Sequence, residues 1–374
     1  MLASASPSIT IDPHALRDRL ERGELTTVLD VRPAAERAEW YIPGSVHVDA
    51  YADLQAGHAL ALDAWSAPPG HTVVTVCGAG KTSLVAALQL RAQGIDAMSL
   101  AGGMAAWTFA WNTADVPLPA ARCRMVQVRR IGKGCLSYMA GSESEAVVVD
   151  PALDPEVYER LAQGRGWVIR HVFDTHIHAD HLSRARVLAE RQSAVLHLPQ
   201  QQRATFPYEP VRDGDRVRFG ASAIEALRVP GHTPESTCYL ADSRALMTGD
   251  TLFLRSVGRP DLHGRPEELA AHARSLYRSL QRLGRLPPDT IVLPGHTDEP
   301  LSFDGRPFAA RLDAVREQIE WLQLSEKTFV DVIRTRIPPT PANHRVIVRL
   351  NEHGLLPGGD AGILEAGANR CAVR

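Results

Sequence analysis

The chain has 374 residues, of which 44% are apolar, enough to furnish a core for each of two domains of ordinary size. Its 41 Lys and Arg stand against 43 Asp and Glu, so there is no basic surplus to neutralise a phosphate backbone and nucleic acid is not an expected partner. No run of about 20 apolar residues is present, Met1 to Pro7 has neither a cationic lead nor a long apolar stretch, and the five cysteines are widely spaced. A protein of a reducing compartment, cytoplasmic and without a membrane segment, is the expectation.

Residues 8 to 118 read as alternating helix and strand. Asp12 is an N-cap with Pro13 at the first helical position, and Gly23 closes that helix. Strands are expected over 26–31 and 72–76, a helix over 82–93 from the spacing of Leu84, Val85, Leu88 and Leu90, and a strand over 97–100. This βαβ pattern implies a parallel sheet. Val116-Pro117-Leu118-Pro119 cannot continue a helix or donate to a sheet and marks the expected domain boundary.

Between the second strand and the helix lies Cys77-Gly78-Ala79-Gly80-Lys81-Thr82-Ser83. Backbone N–H groups at a helix start form an anion nest and Lys81 adds positive charge; both favour a thiolate, making Cys77 a candidate nucleophile. An inert buried thiol is the bland alternative. Gly80-Lys81-Thr82 also matches the end of a phosphate loop, but Thr75 stands where that motif requires its first glycine, so the phosphate reading fails.

From 122 to 355 the texture changes to closely spaced strands, over 125–128, 135–140, 146–149, 168–173, 194–198, 223–229, 237–240 and 245–248. Helices over 155–163, 182–191 and 266–283 interrupt them. Residues 356–374, Ala-rich at the end, read as a flexible tail.

Thr175-His176-Ile177-His178-Ala179-Asp180-His181 packs three imidazoles and a carboxylate just after a strand, and His232, Asp250 and His296 each follow an apolar segment and a turn. Such groups, on loops at strand ends, can converge on a divalent ion. Two arrangements fit. In a dinuclear site, His176, His178 and His232 hold one ion, Asp180, His181 and His296 the other, and Asp250 bridges. In a mononuclear site, His176, His232 and Asp250 form a two-histidine, one-carboxylate triad. The ligand inventory leaves both open.

Two resemblances follow. Leu29-Asp30-Val31-Arg32, Glu36, Ile42-Pro43-Gly44-Ser45 and Gly102-Gly103-Met104-Ala105-Ala106-Trp107 resemble the landmarks of rhodanese sulfurtransferase domains, with Cys77 at the position that carries sulfane sulfur. Gly78, Gly80 and Ser83 then belong to the substrate loop, and Thr82 stands where many active rhodaneses have arginine. The ligand series resembles the HxHxDH signature of the metallo-β-lactamase-fold superfamily, which implies an αββα sandwich.

Within that superfamily, Cys135-Leu136-Ser137-Tyr138, Val147-Val148-Val149-Asp150-Pro151, Leu252-Phe253, Gly258-Arg259-Pro260-Asp261 and Thr340-Pro341-Ala342-Asn343 are similar to persulfide dioxygenases. The resemblance implies one Fe(II) per chain on His176, His232 and Asp250, with His178, Asp180, His181 and His296 as hydrogen-bonding neighbours. Arg259 and Asp261 would line the site and order the pocket, the bland alternative being a surface ion pair, and Tyr138 would either point at a thiol substrate or pack in the sheet. It also implies a low-molecular-weight thiol persulfide and O2 as partners, with sulfite or thiosulfate exchanged through Cys77. The alternatives are a hydroxyacylglutathione hydrolase with two zinc ions and a sulfur-carrier or sensing protein. A homodimer is compatible with the sequence.

Overall fold

The computed structural model describes residues 8–262, 265–341, 343–358, 361–367 and 369–373; Met1 to Pro7 and Ala342, on which expectations were placed, lie outside them. The first sheet comprises β1 (Thr10–Ile11), β2 (Thr26–Asp30), β3 (Val46–His47), β4 (Thr72–Val76) and β5 (Ala97–Leu100). They run parallel in the order β1-β5-β4-β2-β3. Its central strands are buried on both faces, which is why Thr-Thr-Val-Leu-Asp and Thr-Val-Val-Thr-Val show no clean alternation. Val28, Val74 and Val76 meet Leu16 and Trp107 on one face, while Leu29 and Val73 meet Ala86 and Leu90 on the other. Asp12 caps its helix, accepting from the backbone N–H groups of His14 and Ala15, a contact worth about 1 kcal/mol.

The second sheet comprises β6 (Asn112–Val116), β7 (Arg124–Arg130), β8 (Cys135–Ser142), β9 (Glu145–Val149), β10 (Val168–Phe173), β11 (Val195–Pro199) and β12 (Glu209–Val211), in sequential order across the sheet. The third comprises β13 (Arg216–Phe219), β14 (Ser222–Arg228), β15 (Thr237–Ala241), β16 (Ala245–Gly249), β17 (Ile291–Pro294) and β18 (Ala310–Arg311), again in order.

Side-chain period two sorts the residues into layers. Leu136, Tyr138 and Ala140 of β8 face Tyr239 and Met247 between the sheets. Met139 points outward against the helix Pro155–Gln163, and Leu240 and Leu246 pack outward on the helix Leu269–Leu283. The α/β architecture is therefore a parallel-sheet α/β unit followed by an αββα sandwich. Among the described residues no helix is long and apolar enough to cross a membrane.

One expectation is corrected. The boundary drawn at 116–119 comes too late for the sheet: β6 pairs antiparallel with β7 and is the edge strand of the second sheet. Pro117 and Pro119 end a strand rather than a domain. Within the tail expected over 356–374, described residues are anchored. Glu365 is fully buried, with its carboxylate 2.5 Å from Arg130 and 2.6 Å from Arg184, and Cys371 and Val373 are buried beside it in sequence. The Ala-rich composition hid a segment whose order comes from distant charges.

Candidate metal centre and candidate cysteine site

β10 ends at Phe173, and the loop after it carries His176, His178, Asp180 and His181, all buried. His232 follows β14, Asp250 follows β16 and His296 follows β17. Four strand ends thus deliver the groups to one edge of the sandwich. Glycine is required where backbones crowd there: a Cβ at Gly258 would lie 1.9 Å from the Asp250 carbonyl oxygen, and at Gly249, whose φ is +48°, 2.5 Å from Thr175 Oγ1.

His176, His232 and Asp250 offer ligand atoms that all lie within 4.8 Å of one another. His176 Nε2 is 3.8 Å and His232 Nε2 is 3.7 Å from Asp250 Oδ2, and none of these three buried atoms has a hydrogen-bond partner among the described residues. A buried polar atom left alone costs about 1–3 kcal/mol. Three facing one another are the arrangement of ligands around a cation, and two imidazoles with a carboxylate suit a divalent transition metal.

The opposite side of each ring fixes its tautomer. Thr175 Oγ1 donates to Asp150 Oδ2 at 2.9 Å, so it accepts from His176 Nδ1, also at 2.9 Å. His232 Nδ1 donates to the main-chain oxygen of Arg259 at 2.8 Å. Each Nε2 is thereby left with a free lone pair. Burial first, then neighbouring His178, holds His176 well below the ordinary imidazole range, which keeps it neutral.

His178 stands outside this set. Its ring is close to that of His176, with centroids 4.3 Å apart, but its Nε2 turns to Asp150 at 3.3 Å and Asp174 at 3.7 Å. Asp180, His181 and His296 form a second buried cluster, and Cys135 joins it. His296 Nδ1 donates to Asp250 Oδ1 at 2.6 Å, while its Nε2 lies 2.8 Å from Asp180 Oδ2 without hydrogen-bond alignment. Burial opposes charge on His296, but Asp180 and Asp250 outweigh it and raise its proton affinity well above the usual range. Burial likewise opposes ionisation of Cys135, yet the adjacent His181 brings this thiol down to about 6.

Of the two readings left open for Tyr138 the structure shows sheet packing, and Arg259 with Asp261 orders the backbone around the ligands. Tyr138 does not face the ligands: its hydroxyl donates to the Pro294 carbonyl at 2.6 Å and accepts from Gln127, locking β8 to β17 inside the core. The Arg259 side chain is buried and held by Asp261 at 2.7 and 2.8 Å and by the Pro339 and Arg370 carbonyls at 3.2 Å. The pair braces the backbone that receives His232 rather than presenting charge to the metal ligands.

Several contributors were not foreseen. Asp150, at φ +52°, accepts from Thr175 N at 2.7 Å, and Asn351 donates to the His178 and His181 carbonyls at 2.9 Å each. Asn369 donates to Asp180 Oδ2 at 3.1 Å, and Cys371 comes within ligand range of Asp250 and His296. The Val-Val-Val-Asp-Pro run was the one local signal among them, since a non-glycine residue with positive φ commonly marks a built turn.

The cysteine loop has its expected frame in part. Cys77 is buried, and its Sγ accepts from Gly80 N at 3.2 Å and Ser83 Oγ at 3.3 Å. Gly103, at φ +59°, closes against the loop, where a Cβ would lie 2.3 Å from the Cys77 carbonyl oxygen. Gly78 lies at the loop's outer edge, beside Glu36. Lys81 is exposed at the first helical position, with no hydrogen bond to Cys77 among the described residues; the recorded contacts to Cys77 Sγ come from the Gly80 N–H and the Ser83 hydroxyl.

Fold and sites together define a two-domain protein, a cysteine-loop α/β unit ahead of an αββα unit with a buried set of candidate metal ligands. The rhodanese-like domain model matches residues 12–110 and the metallo-beta-lactamase superfamily model residues 130–296. Among solved structures, ETHE1 from Myxococcus xanthus is 30% identical with a TM-score of 0.53, covering 60% of this chain and 96% of that one. A metallo-beta-lactamase from Staphylococcus aureus is 25% identical with a TM-score of 0.57, covering 63% and 73%.

The chain therefore carries a metallo-beta-lactamase superfamily domain, preceded by a rhodanese-like domain. Curated relatives named hydroxyacylglutathione hydrolase are 34% identical in Brucella anthropi and 35% identical in Methylobacillus flagellatus. These matches cover 39% and 44% of this chain, and only 54% and 64% of the relatives' own length.

Proposed function

We propose that this chain is an iron-dependent persulfide dioxygenase, oxidising the sulfane sulfur of glutathione persulfide or a similar small persulfide with O2 to sulfite, with Cys77 performing rhodanese sulfur transfer beside it. The observation that carries this reading is the convergence of His176 Nε2, His232 Nε2 and Asp250 Oδ2 on one another without His178. His176, His232 and Asp250 would hold iron(II), which would supply the one-electron chemistry that triplet dioxygen needs.

The chain's own residues prepare that site. Asp150 and Thr175 hold the His176 proton on Nδ1, the Arg259 carbonyl does the same for His232, and His296 donates to Asp250 from the side. Arg259 and Asp261 act as positioning residues, keeping the carbonyl in place. At the other site, the Gly80 N–H and the Ser83 hydroxyl stabilise negative charge on Cys77 as sulfur is received or released. The test is oxygen uptake with glutathione persulfide by the iron-loaded protein, with sulfite as product; undiminished turnover without oxygen overturns the reading.

A second reading, a dinuclear thioester hydrolase acting on hydroxyacylglutathione, has its own support. Asp180, His181 and His296 cluster with Cys135 as a further set of donors, and the curated relatives carry that name. Hydrolysis of a lactoylglutathione thioester by a protein holding two zinc ions would establish it in place of the first.

A further inference from the structure

The segment that follows His232 also fastens the loop that carries His176. His232 lies in a tight turn, where Gly231 N donates to the Thr233 carbonyl at 3.0 Å and Thr233 N donates to Ser236 Oγ at 3.0 Å. The chain leaves that turn through Glu235 and enters β15 at Thr237, and both residues reach the neighbours of His176. Thr237 N donates to the Thr175 carbonyl at 3.0 Å, and Ile177 N donates to Glu235 Oε1 at 3.2 Å. His176 is thus gripped on either side, and its ring stands edge-on to that of His232, with centroids 4.9 Å apart.

Of these two fastenings only the second depends on a side chain. Glu235 is 3% exposed, Ile177 is itself buried, and among the described residues no other acceptor meets the Ile177 N–H. Burying a carboxylate is costly unless it is paired. Arg203 Nη1 supplies the pair, 3.1 Å from the same Oε1, and Arg203 Nε reaches Glu352 at 2.8 Å. Glu352 adjoins Asn351, whose amide holds the His178 and His181 carbonyls. The bland alternative is a carboxylate that serves only to pair with Arg203. That arginine is partly exposed and already has Glu352, so the pair alone gives little reason to bury a second carboxylate against the main chain between two histidines.

We propose that Glu235 is a positioning residue for the metal centre: by holding Ile177 N, its side-chain oxygen sets where His176 Nε2 stands relative to His232 Nε2. The inference rests on the reading of His176, His232 and Asp250 as iron ligands. What the site requires at position 235 is an acceptor oxygen at the reach of a glutamate side chain, rather than negative charge. Without it a buried N–H loses its acceptor, and the loop relaxes away from the His232 turn to find another.

The experiment compares Glu235→Gln with Glu235→Asp in the full-length protein. Iron(II) affinity is read by anaerobic competition with a chelator, and ligand geometry by the visible absorption of the cobalt(II)-loaded protein. Glu235→Gln keeps the oxygen and loses the charge, so its iron affinity is expected within about threefold of the parent, with the parent's cobalt spectrum. Glu235→Asp keeps the charge and the pairing with Arg203 but falls short of Ile177 N. It is expected to bind iron about 10–100-fold more weakly, with shifted cobalt bands, as when a group that orients a metal ligand is lost. A carboxylate serving only Arg203 would give the reverse order. An aspartate variant that binds iron at least as tightly as the glutamine variant overturns this inference alone. A parent protein that binds neither iron(II) nor cobalt(II) overturns it along with the reading of the triad.

Discussion

Thr175 illustrates how the metal ligands are prepared. Its single hydroxyl proton goes to Asp150, which obliges His176 to donate from Nδ1 and frees Nε2 for the metal. Thr175→Val keeps the shape and removes both bonds, so metal affinity is expected to fall by about 10–100-fold in a metal titration, with the fold intact. His232→Ala should abolish oxygen uptake outright, whereas Cys77→Ser should lose sulfur transfer and still consume oxygen; loss of both in Cys77→Ser would mean the two chemistries are not separable. Gly258→Ala drives a methyl group into the Asp250 carbonyl, so a loss of about 1–3 kcal/mol is expected by denaturant unfolding, together with weaker metal binding. The imidazoles were legible in the sequence because a metal demands those few side-chain types at strand ends. Thr175 and Asn351 were not, since their roles depend on which atoms lie opposite, and Tyr138 stayed open between substrate and core because an aromatic in a strand has two faces to choose from.

Single elements show where composition misleads. The segment 361–373 looks like a loose end, yet Glu365 ties it to β7 through Arg130 and to the ligand-bearing loop through Arg184. Glu365→Gln leaves two guanidinium groups under-compensated in the interior, and a loss of about 3–5 kcal/mol is expected in the denaturation midpoint. Burial works against the Glu365 carboxylate, but Arg130 and then Arg184 pull it down to about 2 from an ordinary value of 4.5. Its contribution to stability is therefore complete above about pH 4.5 and lost as pH falls through about 2, and the substituted protein should lack that part of the acid-unfolding limb. The helix with Asp12 and Pro13 at its start was read correctly because capping is local. The destination of β6 was not, because Asn112–Val116 is a strand by pattern and only pairing with β7 decides its sheet.

At the scale of the whole molecule, the two domains share more than a linker. β6 reaches from the end of the first unit into the second sheet, and the junction encloses Gly132 so closely that a Cβ there would lie 1.8 Å from the Trp107 carbonyl oxygen. A chain beginning at residue 122 would lack β6 and expose the edge of β7, so it is expected to aggregate where a chain beginning at residue 110 stays in solution, as gel filtration would show. The change in strand spacing marked the second unit and the superfamily resemblance implied its layers; the junction was not legible, since no local pattern tells which residues of one unit meet the other. The most direct test of the whole account is the number and identity of metal ions bound per chain when the protein is purified with both iron and zinc available. One iron per chain is the expected result, and two zinc ions per chain would contradict it.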